Sequence, residues 1–457
     1  MNSIGLRVLK IDRVKETTDD YQLQVLLYAK GQTQNAPRSI SSLHRLTVQF
    51  KNDDDIIAAK IVRRWEVESL TSRGAKKSMF ADVTKPTGLD KVDLPDNWKL
   101  PPLSQPDTYT SQIAVADFDQ DGYLDIAIAT LQGQQYVLRS VDGISYEDVT
   151  EEMGLSKTRF ASKTTLATWI DYDNDNYPDL LLGKNLYHNE AGRHFKLRTW
   201  AAGLKFNSAT LGAVVADYDC DGWLDFYVLN HYGQRDPNKK VSFVGDDDSS
   251  GAPNQLWRNL GNGKFKDVTE EAGVVGGSRH SFSASWMHAN DDHFPDLYVV
   301  NDFGRNLFFI NRGNGTFDDI AETAEVGDYA NSMGVASGDL DNNGTTEIYV
   351  ANMFSKMGRR IIAHVSDADY DSEIYDGIRG ACAGSHLYTP EKSASDKGTN
   401  VGSAKTDPCY EEISKAKNVN AIGWAYAPVF ADFDADGLLD IYATSGFISV
   451  DRGKPDG

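Results

Sequence analysis

The sequence predicts an all-β fold: a β-propeller of four-stranded blades, preceded by a small antiparallel β or α+β segment. Three observations predict it. An acidic loop of the form Asp-x-Asp-x-Asp-Gly-x-x-Asp recurs six times, each copy set between apolar runs. Aromatic strands joined by Asn-Gly turns follow several copies. The interval between the last strand of one repeat and the next acidic loop is nearly constant. Self-similarity of this kind marks a repeat architecture, whose units bury their faces on one another. A single β-sandwich would not repeat one nine-residue loop six times.

Residues 1–75 lack the repeat. Tyr21–Leu27, His44–Phe50 and residues 58–67 alternate apolar and polar side chains, as half-buried strands do. They are expected to form a small antiparallel sheet. The propeller is expected over residues 78–457 and to be incomplete at the C-terminal end. It opens on Phe80-Ala81-Asp82-Val83-Thr84, read as a last strand (d) without its own blade. Phe80 would then complete a sixth blade, or a seventh lies beyond Gly457.

Within each unit the acidic loop joins strands a and b. Ile113–Ala116 precedes the first loop and Ile126–Ala129 follows it. Later b strands are Leu180–Leu182, Phe226–Leu229, Leu297–Val300, Ile348–Val350 and Ile441–Ala443. Asn254–Asn259 then leads through Gly261-Asn262-Gly263 into Lys264–Val268, and Asn306–Asn311 through Gly313-Asn314-Gly315 into Thr316–Ile320. Asn-Gly between such runs is a strong hairpin signal, giving strands c and d. The d strand recurs at Phe80, Tyr146, Phe195, Phe265, Phe317 and Tyr410. From these aromatics to the next loop the spacings are 37, 25, 22, 23, 22 and 22. From each loop to the following d aromatic they are 29, 24, 48, 29 and 71, so insertions fall between b and d.

Composition narrows the function. Hydrophobic content of 40% with 11% aromatics is that of a globular chain. A net charge of −21 argues against nucleic acid, which needs a basic footprint. No apolar run is long enough for a membrane span. The first residues lack the apolar core of a signal peptide. Cys382 and Cys409 flank one irregular segment, and their pairing is left open. Cys220 lies within an acidic loop.

The acidic loops read as calcium sites. Hard cations take oxygen ligands, and alternate carboxylates with a glycine at the bend supply them. An EF-hand needs Glu at position 12, but position 12 is Ile128, Leu182, Val228, Val299, Val350 and Ala443. The closing acid stands at position 9 instead, inside a β hairpin. Candidate ligands are Asp117, Asp119, Asp121 and Asp125 in loop one, Asp171, Asp173, Asp175 and Asp179 in loop two, and Asp217, Asp219, Asp221 and Asp225 in loop three. Loop five offers Asp339, Asp341, Asn343 and Glu347, and loop six Asp432, Asp434, Asp436 and Asp440. A backbone carbonyl at position 7 would complete each cage. Loop two has Asn176 where glycine is expected, a replacement the left-handed region tolerates. Loop four, with His288, Asn290, Asp292 and Asp296, and His293 at the glycine position, is a poor calcium set. About five Ca2+ ions are therefore expected. Without a cation, four converging carboxylates repel.

At these residues the chain resembles the FG-GAP/VCBS repeat family, the calcium-loop blades of integrin alpha subunits and many bacterial surface proteins. The resemblance spans roughly residues 78–450 and rests on runs such as Val115-Ala116-Asp117-Phe118-Asp119. Phe265–Gly273 and Met333–Asp339 look like the cartilage acidic protein/ASPIC-UnbV group. That group implies a seven-bladed propeller, an extracellular, cell-surface or periplasmic setting, and binding or adhesion more often than catalysis.

In a propeller the a–b and c–d turns share one face, and the d–a and b–c connections the other. The long insertions at 90–110, 231–253 and 353–384 all fall on the second face, as does Asp302-Phe303-Gly304-Arg305. Loops gathered on a rigid scaffold are where binding resides. A protein or glycan ligand is expected there. The alternative is a polysaccharide-acting lyase or hydrolase at the same face. No Gly-x-Ser-x-Gly elbow or metalloprotease His pair is present, and no catalytic residues are assigned.

Overall fold

The computed structural model describes residues 3–13, 20–33, 36–49, 62–74, 82–92, 111–130, 133–156, 164–206, 210–231, 251–302, 304–366, 368, 370, 372–391 and 407–445. Phe80, most of the 90–110 and 231–253 insertions, and the last residues lie outside them. The chain divides into two compact units, residues 1–85 with 431–440, and residues 86–430 with 441–457.

The N-terminal sheet is an antiparallel meander of β1 (Ser3–Arg13), β2 (Asp20–Thr33), β3 (Ala36–Gln49) and β4 (Val62–Gly74), in sequence order. This is the small antiparallel sheet expected from the alternation.

The repeat region folds as five more four-stranded antiparallel sheets, blades one to five in chain order. Blade one holds β5 (Ser111–Ala116), β6 (Asp125–Thr130), β7 (Gln135–Ser140) and β8 (Tyr146–Asp148). Blade two holds β9 (Ala167–Ile170), β10 (Asp179–Leu182), β11 (Asn185–Asn189) and β12 (Phe195–Leu197). Blade three holds β13 (Thr210–Ala216), β14 (Asp225–Asn230), β15 (Gln255–Asn259) and β16 (Phe265–Asp267), followed by the short helix α1 (Thr269–Ala272). Blade four holds β17 (Ser281–Met287), β18 (Asp296–Asn301), β19 (Leu307–Asn311) and β20 (Phe317–Asp319). Blade five holds β21 (Ser332–Gly338), β22 (Glu347–Asn352), β23 (His386–Pro390) and β24 (Tyr410–Glu412), with helices α2 (Lys356–Ile362) and α3 (Ser372–Gly380) in its b–c insertion. β25 (Ala425–Ala431) and β26 (Asp440–Ser445) form a two-stranded sheet.

The apolar runs after each loop became the b strands. β14, β18 and β22 are buried along their whole length, because each is flanked by strands and covered on both faces. The d strands of blades two to five bury one residue, the aromatic, and expose the next two, as in Phe265-Lys266-Asp267; in blade one Tyr146 is partly buried. Core clusters lie between successive sheets. Phe118 and Met153 of blade one meet Trp169, Leu180 and Phe195 of blade two, and the Phe118 and Trp169 rings stack at 5.9 Å. Tyr298 and Phe308 of blade four meet Ile348 and Tyr388 of blade five.

Register places the first five acidic loops identically. The residue before each loop pairs with position 9: Ala116 with Asp125, Ile170 with Asp179, Ala216 with Asp225, Met287 with Asp296 and Gly338 with Glu347. The three cysteines are free, so the open question of a Cys382–Cys409 bond resolves as two thiols.

Candidate metal loops

Each acidic loop is wound by its own side chains. The position-1 carboxylate accepts the backbone N–H groups of positions 5 and 6. Asp117 takes Asp121 at 3.0 Å and Gly122 at 2.8 Å. Asp171, Asp217, Asp339 and Asp432 do the same in loops two, three, five and six. The position-5 side chain accepts the N–H of position 7, as Asp121 does from Tyr123 at 2.8 Å. This winding needs left-handed backbone at positions 4 and 6. Gln120, Asn174, Cys220, Asn342 and Ala435 have φ between 57° and 62°, and Asn176 at the glycine position has φ 71°.

Position 9 is the anchor. Asp125, Asp179, Asp225 and Asp296 are fully buried. One oxygen of each accepts the N–H of loop position 2, and the other the N–H at the end of strand c. For Asp225 these are Tyr218 at 3.2 Å and Asn259 at 2.7 Å. Burial pushes the carboxyls of Asp179 and Asp225 up to about 8, against those hydrogen bonds, and those of Asp125 and Asp296 up to about 6. A nearby cation would reverse that cost.

Position 3 points into the cage. Oδ1 of Asp119, Asp173 and Asp219 is buried without a hydrogen-bond partner. The other oxygen meets a basic side chain from strand c: Arg139 Nε at 3.0 Å from Asp119, His188 Nδ1 at 3.2 Å from Asp173, and Arg258 Nη2 at 2.6 Å from Asp219. Burial first, then the neighbouring aspartates, raises all three carboxyls, with Arg258 opposing at Asp219. Orphaned buried oxygens are rare, and an ion is one standard reason for them. Ligand atoms of Asp117, Asp119 and Asp125 lie within 4.8 Å of one another. So do those of Asp171, Asp173 and Asp175, of Asp217, Asp219 and Asp225, and of Asp339, Asp341 and Glu347. Asp173, Asp179 and His188 form a further such group, so loop two has an imidazole at its edge; the other sets are all oxygen and fit a hard divalent cation.

Loop four departs as its sequence foretold. His288 caps nothing, and Asn290 Oδ1 takes the Asp292 N–H at 2.8 Å instead. Neither Asp291 nor His293 adopts positive φ. Two features survive: Asp292 accepts the position-7 N–H of Phe294 at 3.0 Å, and the position-9 anchor Asp296 accepts Ala289 and Asn311 at 2.9 Å each.

Two sets of partners escaped the sequence reading. The strand-c asparagines Asn189, Asn259 and Asn311 donate their side-chain amides to the position-2 carbonyls of the preceding loop, Phe118, Tyr172 and Tyr218, at 2.7–2.8 Å. Position-4 side chains reach forward to the position-6 carbonyl of the next loop: Gln120 to Asn176 at 2.8 Å, Asn174 to Gly222 at 2.9 Å, and the Cys220 thiol to His293 at 3.7 Å. The loops are therefore fastened to one another in series.

The FG-GAP-like repeat profile matches residues 117–182, 171–228 and 288–350, each running from a loop's first position into a b strand. The chain carries FG-GAP-like repeats over those residues. It is 25% identical to human cartilage acidic protein 1 over 407 residues, 77% of this chain and 58% of the relative. With cartilage acidic protein 1 of Xenopus tropicalis it shares 24% over 450 residues, 83% of this chain and 64% of the relative. The chain thus spans about three fifths of the length of these curated relatives. A solved structure, the V. cholerae biofilm matrix protein Bap1, aligns with 12% identity over 54% of this chain and 35% of its own, at a TM-score of 0.29. That score is too low to bear on the fold.

Proposed function

We propose that this FG-GAP-repeat chain is a calcium-stabilised, extracellular-type binding module, with its blades closing into a β-propeller and calcium structural in loops one, two, three, five and six. The supporting observation is the repeated, inward-aimed, unpartnered Oδ1 of Asp119, Asp173 and Asp219. Each cage would hold its ion through positions 1, 3, 5 and 9, and the ion would hold the a–b hairpin in shape. The ligand, protein or glycan, would bind at the opposite ends of the sheets. There the b–c and d–a connections meet, as Asn306 N–H donating to Asp328 O at 3.0 Å and Asn331 to Asp302 O at 3.1 Å illustrate. The insertion carrying α2 and α3 enters at that end. Among the described residues no helix is long and apolar enough to cross a membrane. Calorimetric titration of the chelator-treated chain tests the reading. About five tight calcium sites support it; two or fewer would sink it.

A polysaccharide-acting enzyme is the second reading, and one cluster favours it. On the same side of blade five, Asp328 accepts from the Tyr388 hydroxyl and bonds His386 Nδ1. An imidazole oriented by a carboxylate is the usual frame of a general base. Turnover of acidic or neutral polysaccharides that disappears in His386→Gln would favour this reading.

A further inference from the structure

Blade two breaks the repeat at three positions within four residues. Where blades one, three and four have Asp148, Asp267 and Asp319, blade two has Leu197. Those aspartates each accept the N–H two residues on, Thr150, Thr269 and Ala321, at 3.1 Å. Blade two forgoes that bond and exposes 48% of Leu197. Where the others bury Val149, Val268 and Ile320, it places Arg198, whose Nε is buried without a partner. Where they carry Glu151, Glu270 and Glu322, it carries Trp200, 89% exposed. Trp200 is thus left in water at a position that takes a charged residue in the other blades, glutamate in one, three and four and Lys415 in five. Broken local rules without structural gain point to function.

Charge changes at the same place. Between Gly183 and Phe206 stand Lys184, Arg193, Lys196, Arg198 and Lys205 against Glu190 alone, in a chain of net charge −21. The matching stretch of blade four, residues 306–327, has Arg312 against four acids. Lys196 pairs with Glu190 at 3.2 Å. Lys184, Arg198 and Lys205 make no ion pair among the described residues. The turn that gathers them is tight. Leu204 N–H returns to Thr199 O at 3.0 Å, so Trp200 and Lys205 bracket one bend. The Thr199 hydroxyl sits against Leu186 N–H and Asn185 Oδ1, next to Lys184.

We propose that Trp200, with Lys184, Arg198 and Lys205, forms a binding site for a polyanionic polysaccharide, sulfated or carboxylated. An indole face stacks on the C–H face of a sugar ring, and the flanking cations meet anionic substituents. An acidic protein is the poorer fit. Tryptophan anchors in protein interfaces are surrounded by packed contacts that exclude water, whereas Trp200 is 89% exposed and flanked in the chain by Arg198, Thr199, Ala201 and Ala202. The site lies on the b–c and d–a side of blade two, but it rests on these residues and not on the calcium reading.

The test uses the full chain in calcium over immobilised heparin, neutral dextran and polyglutamate. Heparin should retain the chain and dextran should not. Trp200→Ala should weaken heparin binding about tenfold, Lys184→Glu with Lys205→Glu should abolish it, and Glu270→Ala should leave it unchanged. Melting curves in calcium should be the same for all variants, which separates this proposal from the calcium one. Undiminished heparin binding by Trp200→Ala overturns it. So does polyglutamate binding as tight as heparin, which would assign the patch to an acidic protein.

Discussion

The side-chain amide of Asn259 donates to the backbone carbonyl of Tyr172 at 2.7 Å, across 87 residues of chain. The backbone N–H of the same asparagine donates to Asp225 at 2.7 Å. One residue thus closes its own blade's acidic loop and pins the loop of the blade before it. Asn259→Ala leaves the buried Tyr172 carbonyl without this partner and should cost about 1–3 kcal/mol. Urea unfolding in calcium measures it. A midpoint unchanged from wild type would mean that the bond is incidental.

Removing the cation should hurt stability at several loops at once. Excess EGTA at neutral pH is expected to lower the melting temperature, and returning calcium should restore it. The reason is repulsion among buried carboxylates whose protonation is already favoured by burial. Identical melting curves with and without chelator would remove the stabilising role.

Arg258 meets the outer oxygen of Asp219 at 2.6 Å while the inner oxygen faces the cage. The arginine and a bound ion should therefore substitute for each other in neutralising that carboxylate. Arg258→Met is expected to lower the melting point more in chelator than in calcium. The arginine is 41% exposed, so solvent screening holds the difference to about 0.5–1 kcal/mol. Equal losses in both conditions would show that the arginine acts by packing alone.

Loop four supplies a gain-of-function test. His288→Asp with Asn290→Asp and His293→Gly would rebuild the position-1 cap, the cage acid and the left-handed bend. Calcium stoichiometry by titration should rise by one site. The retained Asp296 anchor means that the hairpin itself already stands ready.

His231 gives the pH dependence a definite sign. Burial, then the neighbouring His280, lowers its imidazole to about 3, and the two rings lie 4.9 Å apart. In the unfolded chain it titrates near its ordinary value. Below about pH 6.5 the unfolded state takes a proton that the folded state refuses, so this stability is present above that pH and is lost as pH falls. The slope is at most about 1.4 kcal/mol per pH unit. Asp302, raised to about 6 by burial, titrates in the opposite sense nearby. Comparing His231→Gln with wild type from pH 6.5 to 4.5 isolates the histidine: the variant should lose less stability over that range.

Much of this was legible because it is local. Position 9 follows position 1 by eight residues in every loop, so spacing alone separated these loops from an EF-hand. The d aromatics were equally plain, since Phe195, Phe265 and Phe317 each bury alone in a three-residue strand. The partners from strand c were not. Arg139, His188 and Arg258 reach position 3 from 20, 15 and 39 residues away, and the bridging asparagines act on a different blade. A faint signal exists in hindsight: a basic residue followed by Asn shortly before the c–d glycine, as in Arg258-Asn259-Leu260-Gly261 and His188-Asn189-Glu190-Ala191-Gly192. The α2–α3 insertion was visible only as length, because nothing in residues 353–384 repeats.

The asparagine fastenings bear on how such a chain can change size. A sheet bounded by its own four strands is a natural unit to copy or delete, yet its fastening belongs partly to the neighbour. Excising blade three whole would strip the Tyr172 carbonyl of its donor and Asn311 of its acceptor, Tyr218. Only a segment that runs from position 2 of one loop to the strand-c asparagine of the next blade, as Tyr172 to Asn259 does across 87 residues, carries a carbonyl together with the amide that meets it.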